Sequence, residues 1–154
     1  MDGDRFGRAA DATELRLDRR MSVEAGVGTV FEVLVSEESV AQWMTGEVVL
    51  DPVAGGEVRV AAQGFPTVAG VVAEIDPPRR LSLVWQAEDW SGPLRTTIEL
   101  RQEGDQTELS LVETGFGEDG ELERTRSYLW SHWLIRLAAT VAQRRGTRRA
   151  PSGR

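Results

Sequence analysis

Glu74-Ile75-Asp76-Pro77-Pro78-Arg79-Arg80-Leu81-Ser82-Leu83-Val84-Trp85 is the stretch on which the fold of this chain turns. Two consecutive prolines lack two backbone N–H groups, so they cannot lie inside a paired central strand. They punctuate two strands instead. Residues 68–75, before them, are largely apolar and β-branched. After them Leu81, Leu83 and Trp85 alternate with Ser82, Val84 and Gln86, the period of a strand with one buried face.

Outward from this turn the same grammar repeats. Residues 47–50, 57–62, 96–102 and 107–114 read as strands. The breaks between them are Asp51-Pro52-Val53-Ala54-Gly55-Gly56, Gly64-Phe65-Pro66, Ser91-Gly92-Pro93 and the tight loop Glu103-Gly104-Asp105. A first strand over residues 13–21 sets Leu15, Leu17 and Met21 against Arg16, Asp18 and Arg20, with Arg19 on the apolar face. Ser22 is placed to cap a following helix. Val27, Val30, Phe31 and Leu34 have helical spacing, and Ser36 restarts a second short helix through Val40 and Trp43. From residue 121 to 145 one helix is expected, about 37 Å long at 1.5 Å per residue. Its stripe is Leu122, Leu129, Trp130, Trp133, Leu134, Leu137, Ala138 and Val141. One strand, two short helices, about six antiparallel strands and a long helix define an α+β domain.

Composition narrows the function classes. The chain has 154 residues, enough for one domain with one core. It has no cysteine, which removes disulfides, thiolate nucleophiles and cysteine-based zinc sites. It has no lysine, which removes Schiff-base chemistry and a lysine base. The net charge is −7, unevenly placed. Residues 144–154 hold five arginines and no acid, so residues 1–143 carry 13 basic against 25 acidic side chains, a balance of −12. An acidic body repels nucleic acid. No apolar run approaches the roughly 20 residues that span a bilayer, and residues 1–12 have no signal-like apolar core. The expectation is a cytoplasmic protein with no membrane span and no nucleic-acid partner. Its domain runs over residues 13–143, between a disordered stretch at 1–12 and a disordered basic tail at 144–154.

Five landmarks in order resemble a known family. Val30-Phe31 with Leu34 and then Ala41-Gln42-Trp43-Met44 resembles its first helical pair. Val53-Ala54-Gly55-Gly56-Glu57-Val58 resembles its Gly-Gly turn. The double-proline turn follows. Thr107 to Phe116, with Gly115-Phe116 at its end, resembles its last strand. Ser131-His132-Trp133 with Leu137 resembles its C-terminal helix motif, His132 standing where the family usually has Gly. The family is the START-like, helix-grip or SRPBCC superfamily, in the branch related to the activator of the heat-shock-protein-90 ATPase. The resemblance implies a curved antiparallel sheet of about six to seven strands wrapped on a long C-terminal helix, with a cavity between them. It also covers lipid carriers, cyclases and chaperone activators, so the fold alone names no substrate.

Candidate site residues follow from that geometry. Leu109 and Leu111 put Glu113 on their own face of the last strand. There it could anchor a polar ligand group or act as an acid/base; the alternative is a strand-end carboxylate that reaches solvent or pairs with an arginine. Five tryptophans, Trp43, Trp85, Trp90, Trp130 and Trp133, are candidates for a cavity wall or for core. Trp43 and Trp85 are expected to pack, Trp133 to face the sheet, and Trp90 either to lid the cavity or to pack on a loop neighbour. Glu74 raises the same question as Glu113. The one histidine, His132, permits no His-rich metal motif, and no phosphate-binding loop is present. The expectation is therefore no metal and no nucleotide cofactor. A small hydrophobic molecule would bind at Trp43, Trp85, Trp90, Glu113, Leu129 and Trp133. A cyclase or hydrolase-like enzyme using Glu113 or His132 is the first alternative, and a chaperone-activator-like module with a protein partner is the second.

Overall fold

The computed structural model describes residues 14–152, with side chains described through Arg144. The stretch at residues 1–12 lies outside the described residues, as do the side chains of the basic tail from residue 145. The elements are β1 (Leu17–Val23), α1 (Val27–Val35), α2 (Glu37–Trp43), β2 (Glu47–Leu50), β3 (Glu57–Ala61), β4 (Val68–Asp76), β5 (Arg80–Gln86), β6 (Leu94–Glu103), β7 (Gln106–Thr114) and α3 (Gly120–Ser152). All seven strands form one curled antiparallel sheet in the order β1-β7-β6-β5-β4-β3-β2, the α+β helix-grip arrangement expected. Neighbours in sequence are neighbours in the sheet except β1, which pairs with β7. That pairing brings the first strand beside the last and leads the chain directly into α3.

The double-proline turn behaves as its chemistry requires. Asp76 pairs with Arg80 across it, and the Arg79 N–H donates to the Asp76 carbonyl at 2.8 Å. Further along the same ladder a bulge between Val72 and Glu74 shifts the register. Glu74 ends exposed, in ion pairs with Arg80 and Arg95 at 3.3 Å. It takes no part in the interior.

Ser22 does not cap a helix. It lies within β1 opposite Glu108, because β1 stays paired with β7 through Val23. The helix starts four residues later at Gly26, whose carbonyl accepts the Val30 N–H at 3.1 Å. The Val27 N–H goes to Gln102 Oε1 at 2.8 Å, which ties the start of α1 to β6. Arg19, on the apolar face of β1, reaches across to Ser127 on α3. The inner face of the sheet presents Leu17, Val58, Val60, Leu83, Trp85, Ile98, Leu100, Leu109 and Leu111, all buried. Against it α3 lays Leu129, Trp130, Trp133, Leu134, Leu137 and Val141, also buried. The stripe's period of three and four residues is what allows one straight helix to fill the concave sheet.

Gly70 sets how closely β4 and β5 approach. A Cβ there would meet the Val84 carbonyl oxygen at 2.0 Å and Trp85 Cα at 2.5 Å, both backbone atoms that cannot swing aside. Gly70→Ala is therefore expected to destabilise the domain by about 1–3 kcal/mol through overpacking. Denaturant unfolding monitored by circular dichroism checks it; an unchanged midpoint would contradict the packing described.

Candidate functional site

The centre of the grip is a buried ion pair inside a ring of indoles. Glu113 projects inward from β7 near its end, and Arg126 faces it from the second turn of α3; their side chains are 0% and 1% exposed. Arg126 Nε donates to Oε1 at 2.9 Å and Nη2 to Oε2 at 2.8 Å, a two-pronged pairing. Two further donors meet Oε2: Trp130 Nε1 at 3.1 Å and Thr96 Oγ1 at 2.5 Å. Thr96 in turn accepts from Trp85 Nε1 at 2.9 Å. Thus β5, β6, β7 and α3 each send one or more side chains into a single polar network. Desolvating two ions costs several kcal/mol each, so such a pair is tolerated only with close geometry and filled hydrogen-bonding capacity. Four hydrogen bonds on one carboxylate meet that requirement.

The cation has a second set of partners. The Arg126 Cζ lies 5.1 Å from the ring centroids of Trp85 and Trp90, 5.9 Å from Trp130 and 5.7 Å from Trp133. Indole faces attract a guanidinium by about 0.5–2 kcal/mol each in favourable cases. Trp130 meets Trp133 edge-on at 5.0 Å and Trp43 at a tilt at 6.2 Å, which extends the aromatic group inward. Trp133 Nε1 is buried and has no acceptor among the described residues.

The space beside this network is not where a bent sheet and a straight helix would leave it. The fully apolar chamber under Trp43, Leu83, Ile98 and Trp130 measures only about 10 Å³, at most room for one water. Large rings fill the middle of the grip. The room is at its mouth, in a recess of about 420 Å³ between the loops at Phe65 and Trp90 and the first turns of α3. Leu122, Arg126 and Leu129 form its helix side, and Asp89, Asp119 and Glu121 add acids to its lining. A larger groove of about 960 Å³ lies elsewhere, between α2 and the far part of α3. It is open and polar, and its cations are engaged: Arg136 donates to the Gln42 carbonyl at 2.8 Å, and Arg144 pairs with Glu32 at 3.0 Å.

The candidate residues sort accordingly. Trp85, Trp90, Glu113 and Trp133 converge on Arg126, and Leu129 lies beside it on the recess wall. Trp43 stands apart, its Nε1 donating to the Val33 carbonyl at 3.2 Å and its ring lining the small closed chamber. His132 is exposed on α3 and meets none of them. Two members of the network, Arg126 and Thr96, were not singled out from the sequence as site residues, and Trp130 was read there only as one of five tryptophans for a cavity wall or for core. Arg126 carried a usable signal. It falls four residues before Trp130, three before Leu129 and seven before Trp133, so it sits on the buried stripe. Among the described residues no group of His, Cys, Asp or Glu could hold a metal ion, and no helix is long and apolar enough to cross a membrane.

A curled seven-stranded antiparallel sheet closed on one long C-terminal helix is the START-like helix-grip fold. Within it the chain belongs to the family of activator of Hsp90 ATPase homolog 1-like proteins, whose pattern matches residues 24–142. No functionally curated protein matches the chain. Among solved structures it is similar to CalU16 from Micromonospora echinospora, at 25% identity over 82% of this chain and 75% of that one, with a TM-score of 0.69. It is also similar to DynU16, a protein of the dynemicin biosynthetic locus, at 22% identity over 82% of this chain, with a TM-score of 0.73; the match spans 47% of DynU16. The Aha1 dimer from Colwellia psychrerythraea shares the fold at 15% identity, 82% and 96% coverage and a TM-score of 0.74.

Proposed function

We propose that the protein binds a small, largely apolar molecule in the recess at the mouth of the grip. Trp90 and Leu129 are its walls and Arg126 is its polar anchor. One observation carries the reading: an arginine only 1% exposed nevertheless lines a recess of about 420 Å³. A volume of that size falls in the range of small-molecule sites. Glu113, proposed from the sequence as the anchor, acts in this reading through Arg126. Its Oε2 already accepts from three donors, which suits a positioning role better than that of an acid/base in the enzyme alternative. The proposal includes a cytoplasmic location, which cell fractionation tests.

The test uses a neutral naphthyl ketone, 2-acetylnaphthalene, titrated by calorimetry. Trp90→Ala is expected to weaken its binding about tenfold, or ~1.4 kcal/mol, the loss of one aromatic wall. Equal binding by wild type and variant would remove Trp90 from the site. Family membership favours a second reading, contact with a chaperone partner. Tyr128 and Ile135, 70% and 71% exposed and seven residues apart on α3, are where such a partner would find apolar surface. Stimulation of an Hsp90-type ATPase by the purified protein separates the two readings.

A further inference from the structure

We infer that the recess selects an uncharged, oxygen-bearing aromatic molecule and rejects the same molecule as a carboxylate. This rests on the binding reading above and adds the chemistry of the ligand. An arginine beside an apolar pocket ordinarily recruits an anion. Here its charge is already matched, because Nε and Nη2 meet the two oxygens of Glu113 at 2.9 and 2.8 Å. The pair carries no net charge towards the recess. What it offers is a donor, since the pairing with Glu113 uses Nε and Nη2 and leaves Nη1 outside it, on a side chain that lines the recess.

The rest of the lining has the same bias. Asp89, Asp119 and Glu121 all line the recess, and Arg126 is its one cationic residue among the described residues. None of the three acids is in an ion pair among the described residues. Asp119 accepts the Leu122 N–H at 3.0 Å at the start of α3, which orders the carboxylate without cancelling its charge. An incoming anion meets three like charges and a neutralised arginine. A ketone, phenol or ester oxygen meets a donor and no repulsion. The flat rings of Trp90 and Phe65, both in the lining of the recess, suit a planar aromatic body. Trp133 Nε1, buried in the same indole group without an acceptor among the described residues, is a second donor of the kind that an oxygen satisfies.

The experiment compares two probes that differ only at the polar end, 2-acetylnaphthalene and 2-naphthoate, by calorimetry on the full chain. The ketone is expected to bind at least about tenfold more tightly. In the double variant Asp89→Asn with Glu121→Gln, both at exposed positions that threaten no core contact, the ratio of the two affinities should narrow by about threefold or more. Glu113→Gln uncovers the arginine charge and, where the variant remains folded by circular dichroism, should raise the affinity for naphthoate at least about tenfold. Naphthoate binding as tightly as the ketone to wild type, or an unchanged ratio in the double variant, overturns this inference and leaves the recess as a binding site. Binding of neither probe up to about 1 mM overturns the binding reading itself, and this inference with it.

Discussion

Replacing Arg126 with methionine is expected to lower the unfolding free energy by about 3–5 kcal/mol. Methionine keeps much of the side-chain volume, so the loss reports on charge rather than on a cavity. The Glu113 side chain is 0% exposed and takes two of its four hydrogen bonds from Arg126. Without them a carboxylate is left in an apolar shell that water does not reach. The second arm of the experiment is a double variant, Arg126→Met with Glu113→Leu. Removing both charges together is expected to recover most of the loss, because an apolar pair of similar volume carries no desolvation cost. Urea unfolding of wild type, both single variants and the double variant measures the coupling. A single-variant loss below about 1 kcal/mol would mean that the pair is hydrated, as surface pairs are.

Trp130→Ala should be comparably severe, at about 3–5 kcal/mol for the ring alone. The side chain is 0% exposed. Its ring touches Trp133 and Trp43 and closes the small inner chamber, so its removal opens a cavity that no neighbour can fill by a small shift. The substitution also removes the Trp130 Nε1–H that donates to Glu113 Oε2. Trp130→Phe separates the two contributions. It keeps an aromatic ring, loses the N–H, and should cost about 1–3 kcal/mol. Equal losses in the two variants would place the whole effect on the hydrogen bond.

Most of the architecture was legible because it rests on local rules. The double proline fixed the boundary between β4 and β5. Alternation placed Thr96, Ile98 and Leu100 on one face of β6, and Leu109, Leu111 and Glu113 on one face of β7; every one of these is buried. The stripe on α3 predicted which face meets the sheet. Two things were not readable from local pattern. The bulge at Val72/Glu74 is a property of the β4–β5 ladder, so the facing of Glu74 waited for the register. Ser22 had the chemistry of a helix cap, but pairing with β7 kept the chain extended through Val23.

The site was half readable for a related reason. The facing of Glu113 follows from a period of two, whereas its partner lies 13 residues on, in a different element. An arginine at position 126 reads as solvent-facing by residue type, although its spacing from Leu129, Trp130 and Trp133 puts it on the buried face. The conflict between type and position was the signal. A charged residue on an apolar stripe needs an opposite charge, and the one acid on the facing strand's inner side was Glu113. Nor does sequence reveal how completely four large rings, Trp43, Trp85, Trp130 and Trp133, fill a concave sheet; that depends on rotamers, and it moved the available space from the centre of the grip to its mouth.

The decisive measurement is a ¹H–¹⁵N correlation spectrum of the five indole N–H groups during titration with 2-acetylnaphthalene. Each tryptophan gives one signal, assignable by single substitution to phenylalanine. A ligand in the recess should shift the signals of Trp90 and of its partners around Arg126, Trp85 and Trp133, and leave Trp43 nearly unmoved, since that ring lines the closed chamber and donates to the Val33 carbonyl. Saturable binding that leaves Trp90 still, or that shifts Trp43 most, would contradict a site at the mouth of the grip.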